Sequence, residues 1–113
     1  MQVKQKVKND CLVCNIVGEV NIDNVAELKK VFYKIIEDKS RKVVLNLKGL
    51  EYIDSSGMAC FIEFFKGLKD IQGTMFLCSI TPKIMSIFAI TKLDKVFKVY
   101  DSEDEALKDS YGY

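Results

Sequence analysis

Apolar residues recur along this chain in two alternating periods, two and about three and a half. Over residues 11–17, Leu12, Cys14 and Ile16 alternate with Val13, Asn15 and Val17, which is the period of a β-strand. Residues 2–8 read as a second strand, joined to the first through the hairpin signal Asn9-Asp10, and Gly18 is expected to end the pair. From Asn24 the period lengthens. Val25, Leu28, Phe32, Ile35 and Ile36 predict a helix to about Asp38, with Asn24 and Glu27 spaced as a capping pair. Residues 43–47 are nearly all apolar, as in a strand buried on both faces of a partly parallel sheet. A helix over about 56–71, a strand over 74–79 and a short helix to about Ala89 follow, the last opened by Thr81-Pro82. Val96–Tyr100 predicts a short strand, and Ser102 with Glu105 a capping box for a final helix. The order β-β-α-β-α-β-α-β-α defines an α/β fold. Its mixed central sheet has four to five strands, right-handed crossovers and about four helices.

Length and composition narrow this picture. With 113 residues the chain is expected to form one domain, large enough for a core without metal or disulfide support. Seventeen basic residues balance sixteen acidic ones for a net charge of +1, which argues against nucleic acid as a partner. Lys4, Lys6 and Lys8 read as the solvent face of an edge strand, where lysine deters edge-to-edge pairing. No apolar run approaches the ~18 residues of a membrane span, so direct membrane insertion is not expected. Met1-Gln2-Val3-Lys4 lacks the apolar stretch of a signal peptide, which points to the cytoplasm and to reduced cysteines. Cys11 and Cys14 form a C-x-x-C, but residues three apart on a strand face opposite ways. Together with Cys60 and Cys78 they are expected as buried thiols.

The chemistry concentrates in Asp54-Ser55-Ser56-Gly57, between the apolar strand and the central helix. At about 100° per residue, Ser56 projects into the arc of Ala59, Glu63, Lys66, Gly67 and Asp70, while Met58, Phe61, Phe65 and Leu68 face the sheet. A phosphate on Ser56 would meet the free N–H groups and positive dipole of a helix start, favoured by about 0.3–2 kcal/mol. For a partner docking on that face the sign reverses. Close to two added negative charges, desolvated without a counter-charge, are expected to cost ~3 kcal/mol, or about 100-fold in affinity. Ordinary helix capping accounts for Asp54, Ser55 and Ser56 as well. Catalysis is not expected: there is no G-x-S-x-G elbow, no histidine, no Walker loop and no G-x-G-x-x-G. Glu19, Asp23 and Asp54 are read as solvated loop acids, and no metal or cofactor is expected. More than half of the central helix is apolar, so Met58 with Ile62, or Cys60 with Phe64, present either a semi-exposed protein interface or packing against neighbouring helices.

Val43–Leu47 followed by Leu50-x-Tyr52-Ile53-Asp54-Ser55-Ser56-Gly57 strongly resembles the STAS domain of anti-sigma factor antagonists, with its SpoIIAA-like fold. Gly18-Glu19-Val20-Asn21, Gly73–Cys78 and Ile90-Thr91-Lys92-Leu93 with Val96-Phe97 resemble further family segments, in order, over about residues 3–110. The resemblance implies a single STAS domain over 1–113. It implies a non-enzymatic, phosphorylation-switched regulator of transcription whose unphosphorylated form sequesters an anti-sigma factor serine kinase. It implies Ser56 as the phosphorylated hydroxyl and a PP2C-type phosphatase as the partner that restores it. Asp54 would orient or cap the phosphorylation loop and Ser55 would cap the helix. Gly57, Met58, Ala59, Asn21 and Asp23 would complete the phosphosite loop and partner-binding face. Asn21 stands where many members carry Asp, and Met58-Ala59 replaces the commoner Leu-Gly. A STAS interaction subunit of a transporter or signalling assembly, without a phosphoswitch, is the alternative.

Overall fold

A computed structural model describes residues 1–110. β1 (Gln2–Lys8) and β2 (Cys11–Val20) pair as an antiparallel hairpin, from Gln2 opposite Val17 to Lys8 opposite Cys11. The turn between them holds Asn9 at φ 55° and Asp10 at φ 66°, the two left-handed residues of a type I′ turn. Three parallel strands extend the sheet: β3 (Lys42–Asn46) beside β2, β5 (Thr74–Cys78) beside β3 and β6 (Lys98–Tyr100) beside β5. The sheet order is β1-β2-β3-β5-β6.

Helices cover both faces. α1 (Val25–Glu37), α2 (Ser55–Asp70) and α3 (Pro82–Ile90) bury Leu28, Phe32, Phe61, Phe64, Ile84 and Phe88 against Cys14, Ile16, Val43, Leu45, Met75 and Leu77. α4 (Glu103–Ser110) sets Ala106 and Leu107 on the alternate residues of the same strands, Cys11, Val13, Val44, Phe76 and Cys78. That alternation explains why residues 43–47 are apolar without a period of two: both sides of the sheet are covered. It also separates the C-x-x-C pair, because Cys11 joins the α4 layer and Cys14 the α1–α3 layer.

One strand lies beyond the expected set. Gly18 does not end β2. It takes φ 95°, the ladder shifts register between Gly18 and Glu19, and β2 runs on to Val20. This extension pairs in parallel with β4 (Leu50–Ile53), placing Glu19 opposite Tyr52 and Val20 opposite Ile53. In β4, buried Leu50 and Ile53 flank exposed Glu51 and Tyr52, a pattern with no period of two. The strand exists because β2 supplies a partner, not because four residues specify it. β4 ends one residue before Asp54, so β2 and β4 together deliver the chain to the start of α2.

The caps of α3 and α4 follow expectation, and that of α1 does not. Thr81 Oγ1 accepts from the Ile84 N–H at 3.5 Å behind Pro82, and Ser102 Oγ accepts from the Glu105 N–H at 3.2 Å. Asn24 precedes α1 but makes no side-chain cap to it. Its amide turns backward, accepting from the Asn21 N–H at 3.0 Å and donating to the Glu19 carbonyl at 2.9 Å. Asn24 therefore shapes the loop before α1 instead of terminating the helix.

Candidate functional site

Asp54, not Ser55, caps α2. Its Oδ1 accepts from the Gly57 N–H at 3.0 Å, satisfying one of the free donors of the first helical turn. The same oxygen accepts from Ser56 Oγ at 2.5 Å, and Oδ2 accepts from the Ile22 N–H at 3.0 Å. The Ser56 hydroxyl foremost, then the Gly57 N–H, hold the Asp54 carboxyl below its ordinary range; burial opposes them, and the Ile22 and Ser56 N–H groups add smaller lowering effects. Asp54 is thus a carboxylate that ties the serine, the helix start and the loop after β2 into one unit.

The sequence-predicted residues fall into three groups. Ser55, Ala59 and Asp23 are exposed, while Ser56, Asp54 and Asn21 are half-buried. Ser56 is drawn inward from the open arc of α2 by its bond to Asp54; Ala59, Glu63, Lys66 and Asp70 in that arc are exposed as expected. Gly57 and Met58 are buried. Gly57 is closely packed: a Cβ there would lie 2.7 Å from Ile53 Cγ1 and 2.8 Å from Val20 Cγ1. The motif's glycine lets the helix start seat directly on β2 and β4. Asn21 Oδ1 accepts from the Asp23 N–H at 3.0 Å, so both residues sit in the loop joined to Asp54 through Ile22.

Packing claims most of the apolar surplus of α2. Cys60 and Phe64 are buried, with the Phe64 ring stacked on Phe32 of α1 at 3.9 Å. Gly67 leaves the exposed arc to admit α1: its Cβ would lie 2.5 Å from Ile36 Cδ1. Ile62 stays half-exposed and, with Ser55, Met58, Ala59, Thr91 and Leu93, lines a shallow groove of about 250 Å³ beside the serine pair. Thr91 and Leu93 entered the sequence reading only within a family-like segment, Ile22 not at all, and none of the three was expected at the site. Ile22 carried a legible signal, an isolated apolar residue inside Asn21-Ile22-Asp23-Asn24, and its side chain is 71% exposed.

Other chemistry is muted. Both Asp54 oxygens are engaged by donors, and among the described residues no three acidic or thiol groups gather to hold a metal ion. All four cysteines are buried, and burial pushes Cys14 up to about 12 and Cys60 and Cys78 to about 11, leaving protonated, unreactive thiols. No helix among the described residues is long and apolar enough to cross a membrane.

A mixed sheet with three helices on one face, one on the other, and a serine loop leading from an edge strand into the central helix defines a known class of α/β domain. The chain belongs to the STAS domain family, whose model matches residues 2–106. It is 30% identical over 108 residues to the TM1081 homologue of Thermotoga neapolitana, covering 95% of this chain and 96% of that one. That relative carries a provisional assignment as an anti-sigma factor antagonist. It is 26% identical over 87 residues to the anti-sigma-B factor antagonist of Staphylococcus aureus, covering 77% of this chain and 81% of that one. The solved structure of unphosphorylated SpoIIAA, an anti-sigma factor antagonist, shares the fold with a TM-score of 0.76 at 19% identity, over 99% and 100% of the two chains.

Proposed function

We propose that this protein is an anti-sigma factor antagonist, a binding protein rather than an enzyme, whose docking on an anti-sigma factor serine kinase is switched at Ser56. The observation that carries the reading is the geometry of Ser56. Its hydroxyl is oriented by Asp54 at the first turn of α2, beside the exposed Ser55 and Ala59 and an apolar groove. The names of the two curated relatives support the same role.

In the switch, Ser56 Oγ attacks the terminal phosphorus of ATP held by the kinase. The new O–P bond replaces the bond to the ADP oxygen, ADP leaves, and the hydroxyl proton passes to a base of the kinase or to solvent. A PP2C-type phosphatase reverses the step, with water attacking phosphorus to restore the serine and release inorganic phosphate. The helix start accommodates the phosphate, so the fold survives, while the partner face gains nearly two negative charges.

Incubation with ATP and the cognate kinase, followed by mass spectrometry, should locate phosphate on Ser56. Ser56→Ala should bind the kinase constitutively, phosphorylated protein about 100-fold more weakly, and Ser56→Asp, with a single added charge, about tenfold more weakly. Equal affinity of wild type, Ser56→Ala and Ser56→Asp for the kinase overturns the reading.

A further inference from the structure

We propose that Asp54 relays the state of Ser56 to the loop carrying Ile22, so that phosphorylation both charges the partner face and releases an apolar contact residue beside it. This rests on the reading that Ser56 is modified. The two oxygens of one carboxylate face different elements. Oδ1 holds Ser56 Oγ at 2.5 Å and the Gly57 N–H at 3.0 Å, both in α2; Oδ2 holds the Ile22 N–H at 3.0 Å, in the loop between β2 and α1. The loop's remaining polar contacts are local to it. Asn21 N–H donates to Asn24, Asp23 N–H to Asn21, and the Asn24 amide to Glu19. The Asp54 side chain therefore joins two surface segments that meet at the serine. Its own N–H donates to the Val20 carbonyl at 3.1 Å, so the backbone is anchored independently of the side chain's bonds.

Phosphorylation removes the O–H that Asp54 accepts and sets a near-dianion one hydrogen bond away from a carboxylate. Like charges at that separation repel, and the phosphate competes for the Gly57 N–H with a stronger acceptor. On this account the carboxylate turns off Oγ, and because both oxygens belong to one planar group the turn carries Oδ2 away from the Ile22 N–H. The Ile22 N–H loses its acceptor. The side chain affected, 71% exposed and apolar, is suited to contact a partner that reads the Ser56 face. Asp54 is on this account a positioning residue for Ile22.

The test compares this protein with Ser56 unmodified and with phosphoserine installed at position 56 during translation or by semisynthesis, so that no kinase is needed. Exchange of the Ile22 amide is followed by NMR, with Val44 and Leu77 in the sheet as fold controls. Protection at Ile22 should fall about tenfold in the phosphoserine form, the scale of one charge-assisted hydrogen bond. Ser56→Ala, which removes the donor without adding charge, should retain most of it. In Asp54→Ala the Ile22 amide should start unprotected and phosphoserine should change it no further; Asp54→Asn, which keeps the side chain's shape, serves if the alanine variant unfolds and should blunt the response. Unchanged protection in the phosphoserine form, or a response that persists without Asp54, overturns the relay. Lack of phosphorylation by any kinase would sink the switch reading while leaving this result standing.

Discussion

Two glycines of α2 separate two ways in which a missing side chain matters. At Gly57 the space is closed by the stiff, β-branched Ile53 and Val20, whose Cγ1 atoms lie 2.7 and 2.8 Å from a built Cβ. At Gly67 the obstacle is Cδ1 of Ile36, the free end of a flexible chain, at 2.5 Å. Gly57→Ala should therefore destabilise the protein by about 1–3 kcal/mol through overpacking against β2 and β4. Gly67→Ala should be within ~1 kcal/mol of wild type, because the helix propensity gained offsets the shift of Ile36. Urea unfolding of both variants checks the contrast, and equal losses would mean that the helix start is not seated tightly on β2 and β4 at Gly57. The identity of the glycine was legible in Asp54-Ser55-Ser56-Gly57; its reason was not, because what closes the space comes from two strands brought together by β2–β4 pairing.

At the scale of elements, one carboxylate adds charged and polar ties to the apolar packing of α4 on the sheet. Glu103 accepts from Asn46 Nδ2 at 3.1 Å and pairs with Lys6 Nζ at 3.3 Å and Lys8 Nζ at 3.8 Å. Burial pushes its carboxyl up, but Asn46, Lys6 and Lys8 together outweigh that and hold it below its ordinary range. A carboxyl lowered in the folded state stabilises the protein above its unfolded pKa, about 4.3, and that contribution disappears as pH falls through the lower folded value. Glu103→Gln should thus lower stability at pH 7 and flatten its decline below pH 4.3, read from urea midpoints across that range. An unchanged acid profile in Glu103→Gln would show that Glu103 does not carry this dependence. The lysines of β1 were legible as an exposed row; that two of them reach Glu103 depends on which face of the sheet α4 occupies.

At the scale of the whole molecule, helices cover both faces of the central strands β2, β3 and β5, and every cysteine lies inside a layer. Cys11 and Cys78 are in the α4 layer, and Cys14 and Cys60 in the other. With Cys14 at about 12 and Cys60 and Cys78 at about 11, these thiols carry almost no thiolate at neutral pH. A chromogenic disulfide reagent should label none of the four in the native protein within minutes, and all four in denaturant. Rapid native labelling would mean that one layer opens far more readily than its burial implies.

Element type along most of the chain followed from the sequence, because helical or strand periodicity and local caps act over a few residues. Thr81-Pro82, the Asn9-Asp10 turn and the spacing of Leu28, Phe32 and Ile35 needed no distant partner. So did the presence of a serine pair at the start of a helix. Three things were decided by tertiary structure alone. β4 exists through pairing with the bulged end of β2, Asn24 serves its loop and not the helix, and Ser56 is half-buried against Asp54 while Ile22, 32 residues away, holds the other oxygen of that carboxylate. The β2–β4 pairing and the Asp54–Ile22 bond join segments distant in sequence, whereas Asn24 and Ser56 bond within five residues. In each case several groups compete for one donor, acceptor or strand edge, and local pattern carries no record of which wins.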